Sequence, residues 1–144
     1  MKIMLDLNVL LDYIQKRKPH YHYSSIVLSE VLTGRLEGVI PAHALTTIYY
    51  IIARHNDKKR AEEAIDWILA HFEVAITDKP VFVRARELPI DDFEDGVVAS
   101  LAEVSQSDLI VTRNLPDFED SPISAITPQE FVLRYLTIED KSTE

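Results

Sequence analysis

The stretch Ile3-Met4-Leu5-Asp6-Leu7-Asn8 passes from three apolar side chains into a carboxylate and, two residues later, a carboxamide. Three apolar residues in a row, without alternation, suit a strand buried on both faces, as in a parallel sheet covered by helices. Similar runs recur at Gly38-Val39-Ile40-Pro41, Val74-Ala75-Ile76 and Leu109-Ile110-Val111-Thr112, with a weaker fifth at Ile123-Ser124-Ala125-Ile126. Between them the apolar spacing becomes helical. Leu45, Ile48, Tyr49 and Ile52 form one stripe, and Ala61, Ala64, Ile65, Ile68, Leu69 and Phe72 a second, in a helix beginning near Asp57. Val97, Val98, Leu101, Ala102 and Val104 form a third, and Thr127-Pro128-Gln129-Glu130 reads as a capped helix start. Strands alternating with helices predict an α/β fold, a three-layer α/β/α sandwich around a parallel sheet of about five strands.

Composition bounds the rest. With 144 residues, 47% of them hydrophobic, the chain is of single-domain size and can bury a core covered on both sides. No repeat or low-complexity tract divides it, so residues 1–138 are expected to form one domain and the polar residues 139–144 a tail. The chain has no cysteine, and Asp6 interrupts any signal-like apolar stretch. No apolar run reaches the roughly 18 residues of a membrane helix. A cytoplasmic protein with no membrane association is expected. A net charge of -9 argues against a generic nucleic-acid binder unless cations neutralise some of the acids.

In parallel sheets, ligands bind beyond the carboxyl ends of the strands where the strand order reverses. Asp6 and Asn8 follow the first run. Thr112-Arg113-Asn114-Leu115-Pro116-Asp117 follows the fourth, and Asp91-Asp92-Phe93-Glu94-Asp95 opens the helix before it. Distant acids can therefore meet in one crevice. Crowded carboxylates repel one another unless a cation sits among them. Oxygen donors without cysteine select a hard ion, Mg2+ or Mn2+, and an ion so placed makes phosphodiester hydrolysis the natural reaction.

The segment Met4-Leu5-Asp6-Leu7-Asn8-Val9-Leu10-Leu11-Asp12 resembles the opening of PIN domains. Asp95-Gly96-Val97-Val98-Ala99, Ile110-Val111-Thr112-Arg113-Asn114 and Asp117-Phe118 resemble their C-terminal half. The resemblance spans nearly the whole chain and is nearest to VapC-like toxins. It implies a metal-dependent endoribonuclease acting on RNA, an antitoxin protein as partner, and a homodimer. It implies Asp6 and Asp95 as direct or water-mediated metal ligands, Asp117 as a third acid, Asn114 as a polar neighbour, and Asn8 as the residue orienting that shell. The family's helical glutamate is missing, and Thr47 aligns with its place. A threonine brings no charge, so Glu94 or Asp92 would have to compensate, or the chain would serve as a catalytically impaired module binding protein or RNA. A phosphatase of similar layering would need an aspartate where Asn8 stands.

Other readings compete at single positions. Asp92 and Glu94 suit an N-cap and a first helical turn. Asp6 can act as a cap and Asp117 as a turn residue. Asp12 is expected on the solvent side of the first helix or paired with Lys16. His20, His22, His43, His55 and His71 have no zinc-site spacing, and surface or helix-terminal roles suffice for them. Lys16-Arg17-Lys18 and the cluster of Arg54, Lys58, Lys59 and Arg60 suit solvated faces beside an RNA path. Core packing is expected for most of Tyr13, Tyr21, Tyr23, Tyr49 and Tyr50. Arg113, at a strand end, is expected to aim at the scissile phosphate.

Overall fold

The computed structural model describes residues 1–136. The polar tail and the boundary expected near residue 138 lie outside the described residues.

Five parallel strands, β1 (Lys2–Leu5), β2 (Glu37–Pro41), β3 (Glu73–Ala75), β4 (Leu109–Val111) and β5 (Ala125–Ile126), form one sheet in the order β3-β2-β1-β4-β5. All five apolar runs are strands. Helices α1 (Leu7–Ile14) and α2 (Tyr21–Leu32) join β1 to β2, α3 (Ala42–His55) and α4 (Lys58–His71) join β2 to β3, and α5 (Lys79–Glu87) and α6 (Phe93–Val104) join β3 to β4. A short 3-10 turn, Leu115–Phe118, lies between β4 and β5. Helix α7 (Pro128–Phe131) continues as a π-helical stretch, Val132–Leu136.

Successive side chains of a strand point to opposite faces, and this divides the core in two. Ile3 and Leu5 join Ile40, Val111 and Ile126 beneath α1, α2, α3, α4 and α7, while Met4 joins Val39 and Ile110 against α5 and α6. Helices therefore cover both faces, giving the expected three layers. Gly38 lets Phe72 and α2 pack directly onto one face of β2: a Cβ there would stand 2.7 Å from Phe72 Cδ1 and 3.0 Å from Val31 Cγ1.

Local chemistry fixes the helix starts. The side chains of Asp57, Asp78, Asp92 and Thr127 accept hydrogen bonds from the backbone N–H groups of Arg60, Val81, Asp95 and Glu130, respectively. Among the described residues, no helix is long and apolar enough to cross a membrane.

The chain leaves β1 on one side to form β2 and β3, then returns on the other to form β4 and β5. The strand order thus reverses between β1 and β4, and their carboxyl ends, Leu5-Asp6 and Val111-Thr112, open the crevice where such sheets bind ligands. The Asp6 N–H donates to the Val111 carbonyl at 3.0 Å, locking these two ends side by side.

Candidate functional site

Asp6 occupies the N-cap position of α1 but makes no side-chain cap hydrogen bond. Its Oδ2 instead accepts a hydrogen bond from the Thr112 hydroxyl at 2.7 Å. Thr112 is fully buried and also accepts the Asn114 N–H at 3.0 Å, so one hydroxyl ties the end of β1 to the turn after β4. The sequence did not single out Thr112. The side-chain hydrogen bond to Asp6 comes from Thr112, while Asn8 stands half-buried in the first turn of α1. A polar residue in an otherwise apolar strand end, where strand order reverses, was the available signal.

Asp95 stands in the first turn of α6, its N–H held by the Asp92 side chain at 3.0 Å. Withdrawal from water, and then the negative charges of Asp92, Asp117, Asp6 and Glu94, push its carboxyl up to about 6. Burial likewise raises Asp6, against the lowering effects of the Thr112 hydroxyl and the Arg113 charge, while Asp117 adds to the rise. The three acids singled out in the sequence, Asp6, Asp95 and Asp117, therefore lie within electrostatic reach of one another. Asp95 and Asp117 line an acidic cavity of about 270 Å³ with Asp91, Asp92, Glu119 and Asp120. Glu119 and Asp120 carry no motif and went unread in the sequence.

Not every expected residue joins that cavity. Thr47 and Glu94 share a neighbouring depression with His43 and Phe93, where Glu94 Oε1 lies 3.9 Å from His43 Nε2. Asn114 is exposed and heads the 3-10 turn that carries Asp117. Asp92 caps α6 as expected, although its charge also bears on Asp95.

One expectation requires correction. Asp12 is neither solvent-facing nor paired with Lys16: it is fully buried, with Oδ2 at 2.7 Å from Arg113 Nε and Oδ1 at 3.8 Å from Arg17 Nη1. The helical spacing to Lys16 does not apply, because α1 ends at Ile14 and Lys16 turns away with a φ of 51°. Arg113 is held against Asp12, with Nη1 3.2 Å from His20 Nε2, and its charge also acts on Asp6.

A metal fits this donor set on chemical grounds: oxygen-only ligands, two of them carboxylates whose ionisation the surroundings oppose, suit a hard divalent cation. Among the described residues no three acidic or imidazole groups are drawn tightly enough around one point to coordinate an ion alone. An ion here would keep water between itself and some of the carboxylates, as Mg2+ commonly does.

The family model described as "PIN domain" matches residues 2–116. A ribonuclease named VapC1 from Aquifex aeolicus is 27% identical over 142 residues, covering 95% of this chain and 97% of its own. Among solved structures, VapBC2 from Rickettsia felis bound to promoter DNA aligns with a TM-score of 0.69 at 21% identity, over 88% of this chain and 98% of that one. A toxin-antitoxin complex from Klebsiella pneumoniae aligns with a TM-score of 0.66 at 17% identity, over 88% and 97%. At these identities the structural matches speak to the fold.

Proposed function

The chain belongs to the PIN domain family, and from that premise we propose that it is a metal-dependent endoribonuclease hydrolysing RNA phosphodiester bonds, the toxin of a toxin–antitoxin pair. The observation that carries this is the grouping of Asp6, Asp95 and Asp117, acids from three distant segments whose charges oppose one another at the β1–β4 crevice. The likeness to a ribonuclease along 95% of the chain supports RNA as the substrate. The likeness to a toxin-antitoxin complex supports a protein partner.

In this reading Asp6 and Asp95 hold Mg2+ or Mn2+ and Asp117 completes the acidic shell. Bound there, the ion supplies Lewis acidity toward a phosphodiester and eases the ionisation of water. Thr112 fixes the rotamer of Asp6, and Asp92 fixes the first turn that carries Asp95. Asn114 stands at the edge as a polar neighbour. Thr47 adds no charge, so the negative field around Asp95 comes from Asp92, Asp117, Asp6 and Glu94.

The test is cleavage of RNA by purified protein with Mg2+, with Mn2+ and with chelator. Metal-dependent cleavage, lost in Asp6→Asn, is the expected result. No cleavage with either metal, or full activity in Asp6→Asn, would contradict the reading; RNA binding without cleavage would favour the impaired module that Thr47 suggests.

The stacked, exposed rings of Phe82 and Phe93, 6.0 Å apart, offer a surface for the expected homodimer. Sedimentation of Phe93→Glu should then report a monomer.

A further inference from the structure

Beside Arg113 lies a second cavity, of about 350 Å³, which the acidic site does not use. His20, Tyr23, Pro128, Gln129 and Arg113 are among the residues lining it. Arg113 follows Thr112, whose hydroxyl holds Asp6, and its positive charge reaches that carboxylate. The cavity therefore lies on the α2 and α7 side of the end of β4, and Arg113 is its electrostatic link to Asp6.

Its polar edge is unusually constrained. Arg113 Nε lies 2.7 Å and Nη2 3.4 Å from the two oxygens of the fully buried Asp12, and Nη1 lies 3.2 Å from His20 Nε2. A guanidinium only donates, so His20 Nε2 is the acceptor and its imidazole proton sits on Nδ1. Asp12 is fully buried while Arg113 keeps 28% of its side chain exposed, and an ion pair with one end withdrawn from water is a poor device for stability alone. It is an effective device for holding a planar guanidinium in one orientation. The Asp12 carboxylate offsets much of the Arg113 charge, so a phosphate would gain little there. The N–H groups not turned to Asp12 or His20 remain for an acceptor edge, such as guanine O6 and N7. The half-buried rings of Tyr23 and His20 supply flat surfaces of the kind on which unpaired bases stack.

The geometry points to a nucleobase subsite: this cavity takes an unpaired base of the RNA flanking the scissile phosphate, and Asp12 is the positioning residue that fixes Arg113 for it. The location relative to the cleaved bond rests on the ribonuclease reading; base binding itself does not.

The test is the anisotropy of a labelled, unstructured RNA oligonucleotide in chelator, where no cleavage intervenes, with GMP and ribose 5-phosphate as competitors. His20→Ala and Arg113→Lys should each weaken RNA binding at least about fivefold, and GMP should compete far better than ribose 5-phosphate. In metal-supported cleavage His20→Ala should raise KM more than it lowers kcat. Asp12→Asn should reproduce the loss of GMP selectivity; if it unfolds, the half-buried His20 still carries the test. Binding by both variants within twofold of wild type, no RNA binding by wild type, or equal competition by the two small ligands would overturn the subsite. If wild type cleaves nothing but the variants lose binding and GMP selectivity, the subsite stands and the ribonuclease reading falls. If cleavage is metal-dependent but insensitive to these variants, the reverse holds.

Discussion

The Asp95 carboxyl ionises only near pH 6, because it is withdrawn from water and faces Asp92, Asp117 and Asp6, whereas in the unfolded chain it would ionise near pH 3.9. A carboxyl whose folded-state value is raised contributes stability that is fully present below the unfolded value and is lost as pH rises through the folded one. Without metal, this residue should therefore weaken the fold as pH rises from about 4 to about 6 and beyond. Discounted for its partial exposure, the effect is about 1 kcal/mol. Urea unfolding in chelator should show Asp95→Asn more stable than wild type at pH 8 and the difference vanishing by pH 4; a less stable variant at pH 8 would contradict the repulsion. Thr112 works in the opposite sense, since its hydroxyl favours charged Asp6. Thr112→Val should cost about 1–2 kcal/mol for the lost buried hydrogen bond and lower metal-supported cleavage about 10–100-fold. Wild-type rates in that variant would remove Thr112 from the site.

At the scale of elements, the site depends on close packing between segments that carry no chemistry. Gly38 lies in β2, with the Phe72 ring and Val31 pressed onto it from the neighbouring helices. Gly38→Ala must push back an aromatic ring in a filled core, so thermal unfolding should show a loss of about 1–3 kcal/mol; a neutral result would mean that Phe72 swings away freely. The sequence reading was strongest for elements with clear periodicity and caps: α3, α4, α6 and the Thr127 start were all legible. Helices α2 and α5 were not. In α2 the buried stripe includes Ser24, and in α5 Phe82 and Val83 face solvent while Val81 and Ala85 face the core, so hydrophobicity misstates which side is inside.

Across the whole molecule, strand order was the decisive unknown, since periodicity says nothing of which strands are neighbours. The Asp6 and Thr112 ends could be matched to one crevice only by assuming a reversal, which the β3-β2-β1-β4-β5 order supplies. What escaped the sequence are pairings between distant residues, such as Asp12 with Arg113 and Thr112 with Asp6. No local spacing encodes them. Truncating Asp12 to Ala would leave the partly exposed Arg113 and Arg17 without their carboxylate, at an expected cost of about 1–3 kcal/mol in denaturant unfolding; a loss under about 0.5 kcal/mol would mean the pair is effectively solvated.

The acids at the β1–β4 crevice call for a cation, and calorimetric titration of Mn2+ into the wild-type protein and into Asp6→Asn and Asp95→Asn measures this without any substrate. The account predicts saturable binding to wild type, with one proton or less released near pH 6 as Asp95 ionises, and no comparable binding to either variant. Wild-type protein that takes up no Mn2+ at millimolar concentration, or variants that bind it as well as wild type, would contradict it.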